Sequence, residues 1–310
     1  MQAHPLLIIL GPTASGKTKL AVAVADRLNG EIISADSRQV FKGMDIGTGK
    51  DLNEYQINGN HIPYHLIDIK NAGEKYQVNA FKDDFYQALA HIVQRGHLPV
   101  LCGGTGMYIH SLLQNHELTA VPVNEALRTA LLPLSKAELQ DRINQYPESL
   151  RAQADYSSAK RLIRAIEIAD YLQNNPLPRR SRPMLKPLVI GLDSEVVLRR
   201  KRIIDRLQLR LNHGLIAEVE GLLHDGVSAA MLSFYGLEYK FVGAYLQGEM
   251  DLATLQERLG TAICQFAKRQ MTFFRKMEKD GVNIHWLKAE KGTAQLQKEV
   301  VDLFMAFNSK

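Results

Sequence analysis

Gly11-Pro-Thr-Ala-Ser-Gly-Lys-Thr18 is the most informative segment of the sequence. It follows the apolar run at residues 6–10 and precedes an amphipathic helical pattern, so it joins a predicted strand to a predicted helix. The pattern G-x-x-x-x-G-K-S/T in this setting is typical of a phosphate loop, in which backbone N–H groups and the positive end of the helix hold a diphosphate. We therefore predict that Lys17 neutralises phosphate oxygens and that the Thr18 hydroxyl binds Mg²⁺.

The remaining apolar pattern alternates between strands and helices along the chain. Strands are expected at residues 6–10, 31–35, 64–69, 98–102 and 187–192, with a late strand around Trp286. Between them, apolar residues recur at helical spacing, as in Phe81, Phe85, Leu89 and Ile92. This alternation predicts an α/β fold, with a P-loop NTPase-like parallel sheet flanked by helices.

Two regions are predicted to be mostly helical. Residues 114–183 show helical patterns without clear strands, and the chain after residue 193 is again mostly helical, with a long helix expected between Asp251 and Lys279. We therefore predict a first part of the α/β core at residues 1–113 and a helical insert at residues 114–185. Residues 186–310 are expected to return to the core and to supply C-terminal helices.

The composition is that of an ordinary globular protein. Of the 310 residues, 45% are hydrophobic and 23% are charged, without the bias of disordered or fibrous chains. Cys102 and Cys264 are the only cysteines and lie far apart, so neither a disulfide framework nor a zinc site is expected. The sequence shows no leader peptide and no apolar run of the ~20 residues that a membrane span needs. These features predict a cytoplasmic protein.

Positive charge is concentrated in the second half of the chain. The formal net charge is +5, and basic residues cluster between positions 160 and 210 with few acids among them. This basic series suits a polyanionic ligand and equally suits a set of solvated helix faces, so both interpretations stay open. Its members are Lys160, Arg161, Arg164, Arg179, Arg180, Arg182, Lys186, Arg199, Arg200, Lys201, Arg202, Arg206 and Arg210.

A carboxylate follows the second predicted strand. Asp36-Ser37-Arg38-Gln39 comes directly after residues 31–35, at the edge of the sheet where open α/β folds bind ligands. Asp36 is therefore expected close to the phosphate loop. From this position alone, a carboxylate that orients a substrate and one that accepts a proton are equally supported, because small-molecule kinases also place a carboxylate there.

Five short motifs together resemble one family. They are Gly11-PTASGK-Thr18, Ser34-A-Asp36-SRQ-Val40, Gly43-MDIGTG-Lys50, His65-LID-Ile69 and Gly103-GTGM-Tyr108. In this order and at this spacing they are similar to the tRNA dimethylallyltransferase family, also called tRNA isopentenyltransferases. The resemblance continues through residues 160–168, 202–223 and 266–275, so it covers nearly the whole chain. No Cys/His finger like that of eukaryotic members follows, so the bacterial type is expected.

The resemblance implies a reaction and its partners. Members of the family transfer a dimethylallyl group from dimethylallyl diphosphate to N6 of the adenosine 3′ to the anticodon, with Mg²⁺ and without nucleotide hydrolysis. The phosphate loop would then hold a leaving group, and the anticodon stem-loop of a tRNA would be the acceptor. No membrane and no obligate protein partner are implied. A monomer is expected, because no long exposed heptad pattern is present.

The resemblance also assigns residues to roles. Asp36 matches the general base, Arg206 matches a diphosphate-binding arginine, and Thr13 matches a threonine near the reacting groups, although a turn-forming role for Thr13 is as well supported. The implied diphosphate site is Gly11, Pro12, Thr13, Ala14, Ser15, Gly16, Lys17 and Thr18. The implied tRNA contacts are Asp36, Ser37, Arg38, Gln39, Thr105, Arg128, Lys160, Arg161, Leu162, Ile163, Arg164, Glu238, Tyr239 and Lys240.

Structural roles stay open for several of these residues. Thr105 has the position of a helix cap, and Arg128 and Arg161 each have the character of solvated surface charges. The aromatic side of residues 266–275 is expected to lie in the core rather than to contact a ligand.

The chain departs from the family pattern at four points. The insert is short, Glu238-Tyr239-Lys240 stands where Gly-Tyr-basic is frequent, Cys264 replaces an arginine and Phe273 replaces a tryptophan. None of these departures falls on the implied catalytic residues. They leave open the detailed tRNA contacts and the range of tRNAs accepted.

Three other functions remain open. A small-molecule kinase explains the phosphate loop and Asp36 but not the later motifs or the basic insert. Prenyl transfer to free AMP or ADP is a related possibility. A nucleotide-gated RNA-binding module without catalysis gives no reason for Lys17, Thr18, Asp36 and Arg206 to be intact.

Overall fold

A computed structural model describes residues 3–114, 116–178 and 181–309. Arg179 and Arg180 of the basic series lie outside these residues. The chain forms two compact units, one built from Met1–Gln114 and Pro183–Lys310 and the other from Asn115–Arg182. None of the described helices is both long enough and apolar enough to cross a membrane.

The first unit is built around a six-stranded sheet. The strands of the unit are β1 (His4–Leu10), β2 (Gly30–Ser34), β3 (Gln56–Ile57), β4 (Asn60–His61), β5 (Tyr64–His65), β6 (Leu98–Gly103), β7 (Leu185–Asp193) and β8 (Ile284–Lys288). The sheet has the order β5-β2-β6-β1-β7-β8 with parallel neighbours, while β3 and β4 form a separate antiparallel hairpin. The predicted α/β fold with a parallel sheet is confirmed.

The central strand β1 shows why these residues form a sheet. Leu6, Ile8 and Leu10 join the apolar cluster on one face, and Leu7 and Ile9 join the cluster on the other. This alternation follows from the two-residue period of a strand. All five side chains are fully buried, because a strand that helices cover on both faces has to be apolar throughout.

One predicted strand is much shorter than expected. Strand structure was predicted for residues 64–69, whereas β5 pairs with β2 only at Tyr64 and His65. Leu66 and Asp68 have φ angles of 62° and 56°, which is left-handed backbone that cannot continue a strand. Leu66 and Ile67 are buried, so this segment has the hydrophobicity of a strand although the chain turns there.

Helices cover both faces of the sheet in the first unit. The helices α1 (Lys17–Leu28) and α13 (Thr293–Asn308) lie on one face. On the other face are α2 (Val78–Gln94), α3 (Gly106–Leu113), α8 (Val196–Asn212), α9 (Leu215–His224), α10 (Ala229–Tyr235), α11 (Leu237–Leu246) and α12 (Leu252–Lys279). The long helix α12 begins after Asp251, whose carboxylate accepts a hydrogen bond from the Thr254 N–H at 2.8 Å.

The second unit contains the helices α4 (Glu125–Leu131), α5 (Lys136–Asn144), α6 (Glu148–Arg151) and α7 (Ala159–Asn174). Ser135 and Glu138 form a reciprocal capping box at the start of α5, and Ser158 caps α7. The apolar sides of these helices bury Leu139, Leu162 and other side chains in a core that belongs to this unit.

A buried carboxylate in the first unit joins β2 to the chain ahead of β6. Glu31 accepts two hydrogen bonds from Arg95, at 2.8 and 2.6 Å, and lies within 2.7 Å of His65 Nε2 and 2.6 Å of His97 Nδ1. Burial by itself would raise the pKa of Glu31, but these hydrogen bonds outweigh burial and lower the pKa to about 2.

We expect Glu31→Gln to lower the free energy of unfolding at pH 7 by about 1.5–3 kcal/mol, because it removes the charged acceptor of these bonds. The carboxylate stabilises the fold above its ordinary pKa of 4.5, and this stabilisation is lost as the pH falls towards 2. Urea titrations should therefore show a difference between wild type and variant that shrinks below pH 4.5. The exposed Glu257→Gln is the control, and equal midpoints for wild type and Glu31→Gln at pH 7 would contradict the assignment.

Candidate active site

Three loops meet at the carboxyl edge of the sheet. Residues 11–16 follow β1, residues 35–39 follow β2, and Gly104 and Thr105 follow β6. Because β2, β6 and β1 are neighbours in the sheet, the three loops lie side by side. They line one cavity of about 570 Å³, at the position where open α/β sheets bind ligands.

The phosphate loop, residues 11–18, has the backbone of an anion site. Ala14 and Gly16 both have left-handed φ angles, 60° and 83°, and Gly16 caps the start of α1 without contributing a side chain. The Ser15 hydroxyl is buried and has no hydrogen-bond partner among the described residues. Burial lowers the pKa of Lys17, against the opposing effects of Cys102 and Asp36. A partly buried lysine and an unpaired hydroxyl beside a helix N-terminus suit a phosphate group.

Gln270 holds the phosphate loop against the loop after β6. Its side-chain oxygen accepts a hydrogen bond from the Thr13 N–H at 2.9 Å, and its Nε2 donates to the Gly104 carbonyl at 2.9 Å. The side chain comes from α12, and the residue is only 8% exposed. Both ends of the amide are therefore used to fix two loops that are far apart in the sequence.

The loop after β2 is fixed by its own side chains. Asp36 Oδ1 accepts a hydrogen bond from the Arg38 N–H at 2.9 Å, and the Asp36 N–H donates to the Ser34 hydroxyl at 3.3 Å. The Ser37 N–H donates to the Thr105 hydroxyl at 3.0 Å. One carboxylate oxygen of Asp36 is thus committed to a turn, and the residue lies half-buried on the cavity wall.

A further loop, residues 43–50, is held by the half-buried Glu218 and the buried Lys50. Glu218 accepts hydrogen bonds from the backbone of Asp45, Ile46 and Gly47 at 2.7–2.9 Å. The fully buried Lys50 ammonium donates to the Phe41 carbonyl at 2.7 Å and forms ion pairs with Asp45 and Asp68. The loop therefore presents Gly47, Thr48 and Gly49 to the cavity.

Two arginines of α8 approach this loop. Arg206 and Arg210 are four residues apart, so they lie on the same face of the helix. A β-carbon at Gly49 would overlap the Nη2 atoms of both side chains. Glycine suits this position because its φ is 65° and because a side chain would displace the two arginines. The two guanidinium groups lie next to each other on the cavity wall.

Apolar side chains complete the cavity. Phe266 and Met107 are 41% and 42% exposed, and Ile263, Leu237 and Phe273 also line the wall. The cavity therefore combines a phosphate cradle and a carboxylate with an apolar surface, which suits a ligand with one charged end and one hydrocarbon end.

The structure brings most of the predicted site residues together. The predicted residues that line the cavity are Thr13, Ala14, Ser15, Gly16, Lys17, Thr18, Asp36, Ser37, Arg38, Gln39, Thr105, Arg206, Glu238, Tyr239 and Lys240. Gly11 and Pro12 are buried and do not line the cavity, and Gly11 lies next to Leu192.

Two predicted cavity residues have supporting roles. Tyr239 is 1% exposed, and its hydroxyl donates to Glu218 at 2.8 Å, so it braces the loop at residues 43–50 rather than presenting a side chain to RNA. Thr105 stands at the start of α3 without a capping hydrogen bond from its side chain. Its hydroxyl instead accepts from Ser37, so the helix-cap interpretation was wrong.

The other predicted tRNA contacts belong to the second unit. Leu162 and Ile163 are 0% and 6% exposed in the core of that unit, so their side chains pack in this core. Arg164 donates to the carbonyl of Val121 at 2.7 Å and thereby fixes the chain ahead of α4. Lys160 and Arg161 are exposed on α7.

Arg128 is more than a surface charge. It forms an ion pair with Glu167 at 2.6 Å, and the Glu167 side chain is fully buried. Arg161 pairs with Asp155 at the surface, where its side chain is 61% exposed. The solvated-charge interpretation therefore fits Arg161 and fails for Arg128.

The cavity residues of α12 and one cavity arginine of α8 were not predicted as site residues. Phe266, Gln270 and Phe273 line the cavity, whereas Phe274 is fully buried in the core, so the prediction that the aromatic side of residues 266–275 lies in the core holds only for Phe274. The sequence did indicate that Phe266, Gln270 and Phe273 act together, because spacings of four and three residues place them on one helix face. Arg210 shows the same signal in its spacing from Arg206.

Two family models match the chain, one described as IPP transferase over residues 39–277 and one described as isopentenyl transferase over residues 4–64. The chain is 54% identical to tRNA dimethylallyltransferase 2 of Porphyromonas gingivalis over 92% of its own length and 94% of that protein. It is 52% identical to tRNA dimethylallyltransferase 1 of the same species, over 97% of its own length and 99% of that protein. It also resembles the crystal structure of the full-length tRNA isopentenylpyrophosphate transferase of Bacillus halodurans, with a TM-score of 0.71 and 31% identity over 99% and 98% of the two chains.

Proposed function

The chain belongs to the IPP transferase family, and we propose that it transfers a dimethylallyl group from dimethylallyl diphosphate to N6 of the adenosine 3′ to the anticodon of tRNAs. The observation that carries the proposal is the single cavity that holds the phosphate loop, the Asp36 carboxylate and an apolar wall. A prenyl diphosphate has a charged end and a hydrocarbon end that match these two kinds of surface. A small-molecule kinase would need the phosphate cradle but gives no reason for the apolar side chains.

The donor half of the reaction is assigned to the cations of the cavity. When the allylic C–O bond breaks, positive charge develops on the prenyl carbon and negative charge on the departing diphosphate. Lys17 and Arg206 stabilise the diphosphate oxygens, together with the N–H groups at the start of α1. The apolar wall formed by Phe266, Phe273 and Met107 holds the prenyl group and keeps water from the cationic carbon.

Mg²⁺ fits the donor chemistry of the phosphate loop. The Thr18 hydroxyl is a hard oxygen donor on the cavity wall, and no group of three or more His, Cys, Asp or Glu side chains within residues 3–114, 116–178 and 181–309 forms a separate metal site. Thr18 and the substrate phosphates would therefore hold the ion, which is the usual mode for Mg²⁺. When bound, Mg²⁺ neutralises charge on the leaving diphosphate.

The acceptor half is assigned to the loop after β2. The exocyclic amine of adenine is a poor nucleophile, because its lone pair is delocalised into the ring, so it has to lose a proton as it attacks. Asp36 is the acceptor of that proton. The base has to leave the stacked anticodon loop to reach it. Ser37, Arg38, Gln39 and Lys240 on the cavity wall are the proposed contacts for the extruded nucleotide.

Radiolabelled dimethylallyl diphosphate tests the proposal, with tRNA, AMP or no acceptor, and with Mg²⁺ or EDTA. We expect label in tRNA that depends on Mg²⁺, and no label in AMP. Nuclease digestion of the product should release one N6-prenylated adenosine per tRNA. Label in AMP with none in tRNA would favour the free-nucleotide reaction, and γ-phosphate transfer from ATP to a metabolite would favour a kinase.

A further inference from the structure

Arg210 is a buried cation on the cavity wall with unused hydrogen-bonding capacity. The residue is 9% exposed, and its Nη2 has no hydrogen-bond partner among the residues that the structure describes. Burying a guanidinium nitrogen without an acceptor costs free energy, unless a ligand supplies the acceptor. The side chain lines the same cavity as the phosphate loop.

The charges around Arg210 only partly compensate it. Glu238 Oε1 lies 3.8 Å from Arg210 Nη1, which is an ion pair beyond hydrogen-bonding distance. Burial lowers the pKa of Arg210 to about 10, and the neighbouring Arg206 acts in the same direction, against Glu238 and Asp51. The positive charges of the two adjacent guanidinium groups are therefore only partly neutralised by the acids around them.

Gly49 fixes where the two guanidinium groups lie. Its backbone occupies the left-handed region with a φ of 65°, and its lack of a side chain makes room for both Nη2 atoms. The Gly49 carbonyl is itself held by Gln39 Nε2 at 3.0 Å. The fold thus brings two cations together and leaves the second of them with a donor that no described atom satisfies.

We propose that Arg210 is a second arginine that binds the diphosphate of the prenyl donor, beside Arg206, and that Glu238 orients its guanidinium. This inference rests on the proposed function, because it assigns a residue to the donor of that reaction. The diphosphate oxygens supply the acceptor that the buried Arg210 Nη2 lacks on the wall of the same cavity. Glu238 is a positioning residue that would touch Arg210 and not the substrate.

Calorimetric titration of the full chain with inorganic pyrophosphate and Mg²⁺ tests the proposal without requiring turnover. We expect Arg210→Met to raise the Kd for pyrophosphate roughly 10- to 100-fold, the loss typical of hydrogen bonds to a charged group. Arg200→Met, on the exposed side of the same helix, should leave the Kd unchanged. Affinity for an anticodon stem-loop alone should also stay unchanged in Arg210→Met. Thermal denaturation checks that each variant is folded.

Glu238 is tested by a double-mutant cycle. Glu238→Ala should raise the pyrophosphate Kd only when Arg210 is present, so that the double variant matches Arg210→Met. An unchanged pyrophosphate Kd in a folded Arg210→Met would overturn the inference. So would a loss of stem-loop affinity with pyrophosphate binding intact, because Arg210 would then serve a tRNA phosphate. Wild-type chain that binds pyrophosphate through Arg210 but does not prenylate tRNA would overturn the proposed function alone.

Discussion

Lys17→Met is expected to lower the rate of prenyl transfer by ~10²- to 10³-fold while leaving the thermal stability unchanged or higher. The rate should fall because one preorganised cation at the leaving group is lost. Stability should not fall, because burial lowers the pKa of Lys17, and the protein therefore bears the cost of a desolvated ammonium in the absence of substrate. Single-turnover transfer and a melting curve on the same preparation measure both effects.

Lys19→Met is the matched control for this prediction. Lys19 lies two residues further along α1 and is exposed, so the substitution removes the same charge from the same helix without touching the cavity. We expect both its rate and its melting temperature to stay near those of wild type. A Lys17→Met variant that is clearly less stable, or that transfers at more than a tenth of the wild-type rate, would contradict the leaving-group role.

The parts of the molecule that depend on local sequence were predictable. The phosphate loop could be placed because its glycines, lysine and threonine stand between an apolar strand and an amphipathic helix, and these signals lie within about 20 residues of each other. Asp36 could be placed because it follows β2, and the carboxyl ends of parallel strands share one edge of the sheet. Neither inference needed a contact between distant segments.

The side chains that close the cavity could not be predicted, because their positions depend on contacts between segments that are far apart in the sequence. Gln270 accepts a hydrogen bond from Thr13, which is 257 residues away in the sequence, and Arg210 lies against Gly49, which is also distant from it in the sequence. Helical periodicity shows which side chains share a face, but it does not show what that face packs against. Leu162 and Ile163 show a further limit, because the motif that contains them does not indicate that their side chains lie in the core of the second unit.

The geometry at Asp36 separates its structural role from its chemical role. Oδ1 accepts the Arg38 N–H at 2.9 Å and so shapes the loop. An asparagine in the same rotamer retains a side-chain oxygen for that bond, so Asp36→Asn preserves the turn while removing the basic carboxylate. Alanine would remove both, so the amide variant is the more informative substitution.

Asp36→Asn is expected to fold and to bind pyrophosphate and tRNA with near-normal affinity, yet to transfer the prenyl group ~10²- to 10⁴-fold more slowly in a single turnover, which is the usual contribution of general base catalysis. The reason is that the attacking amine would have no side-chain acceptor for its proton. Asp302→Asn, an exposed change of the same type on α13, is the control. If Asp36 instead orients a substrate or Mg²⁺, the variant should lose affinity together with rate. A folded Asp36→Asn with a wild-type single-turnover rate would place the base on another residue.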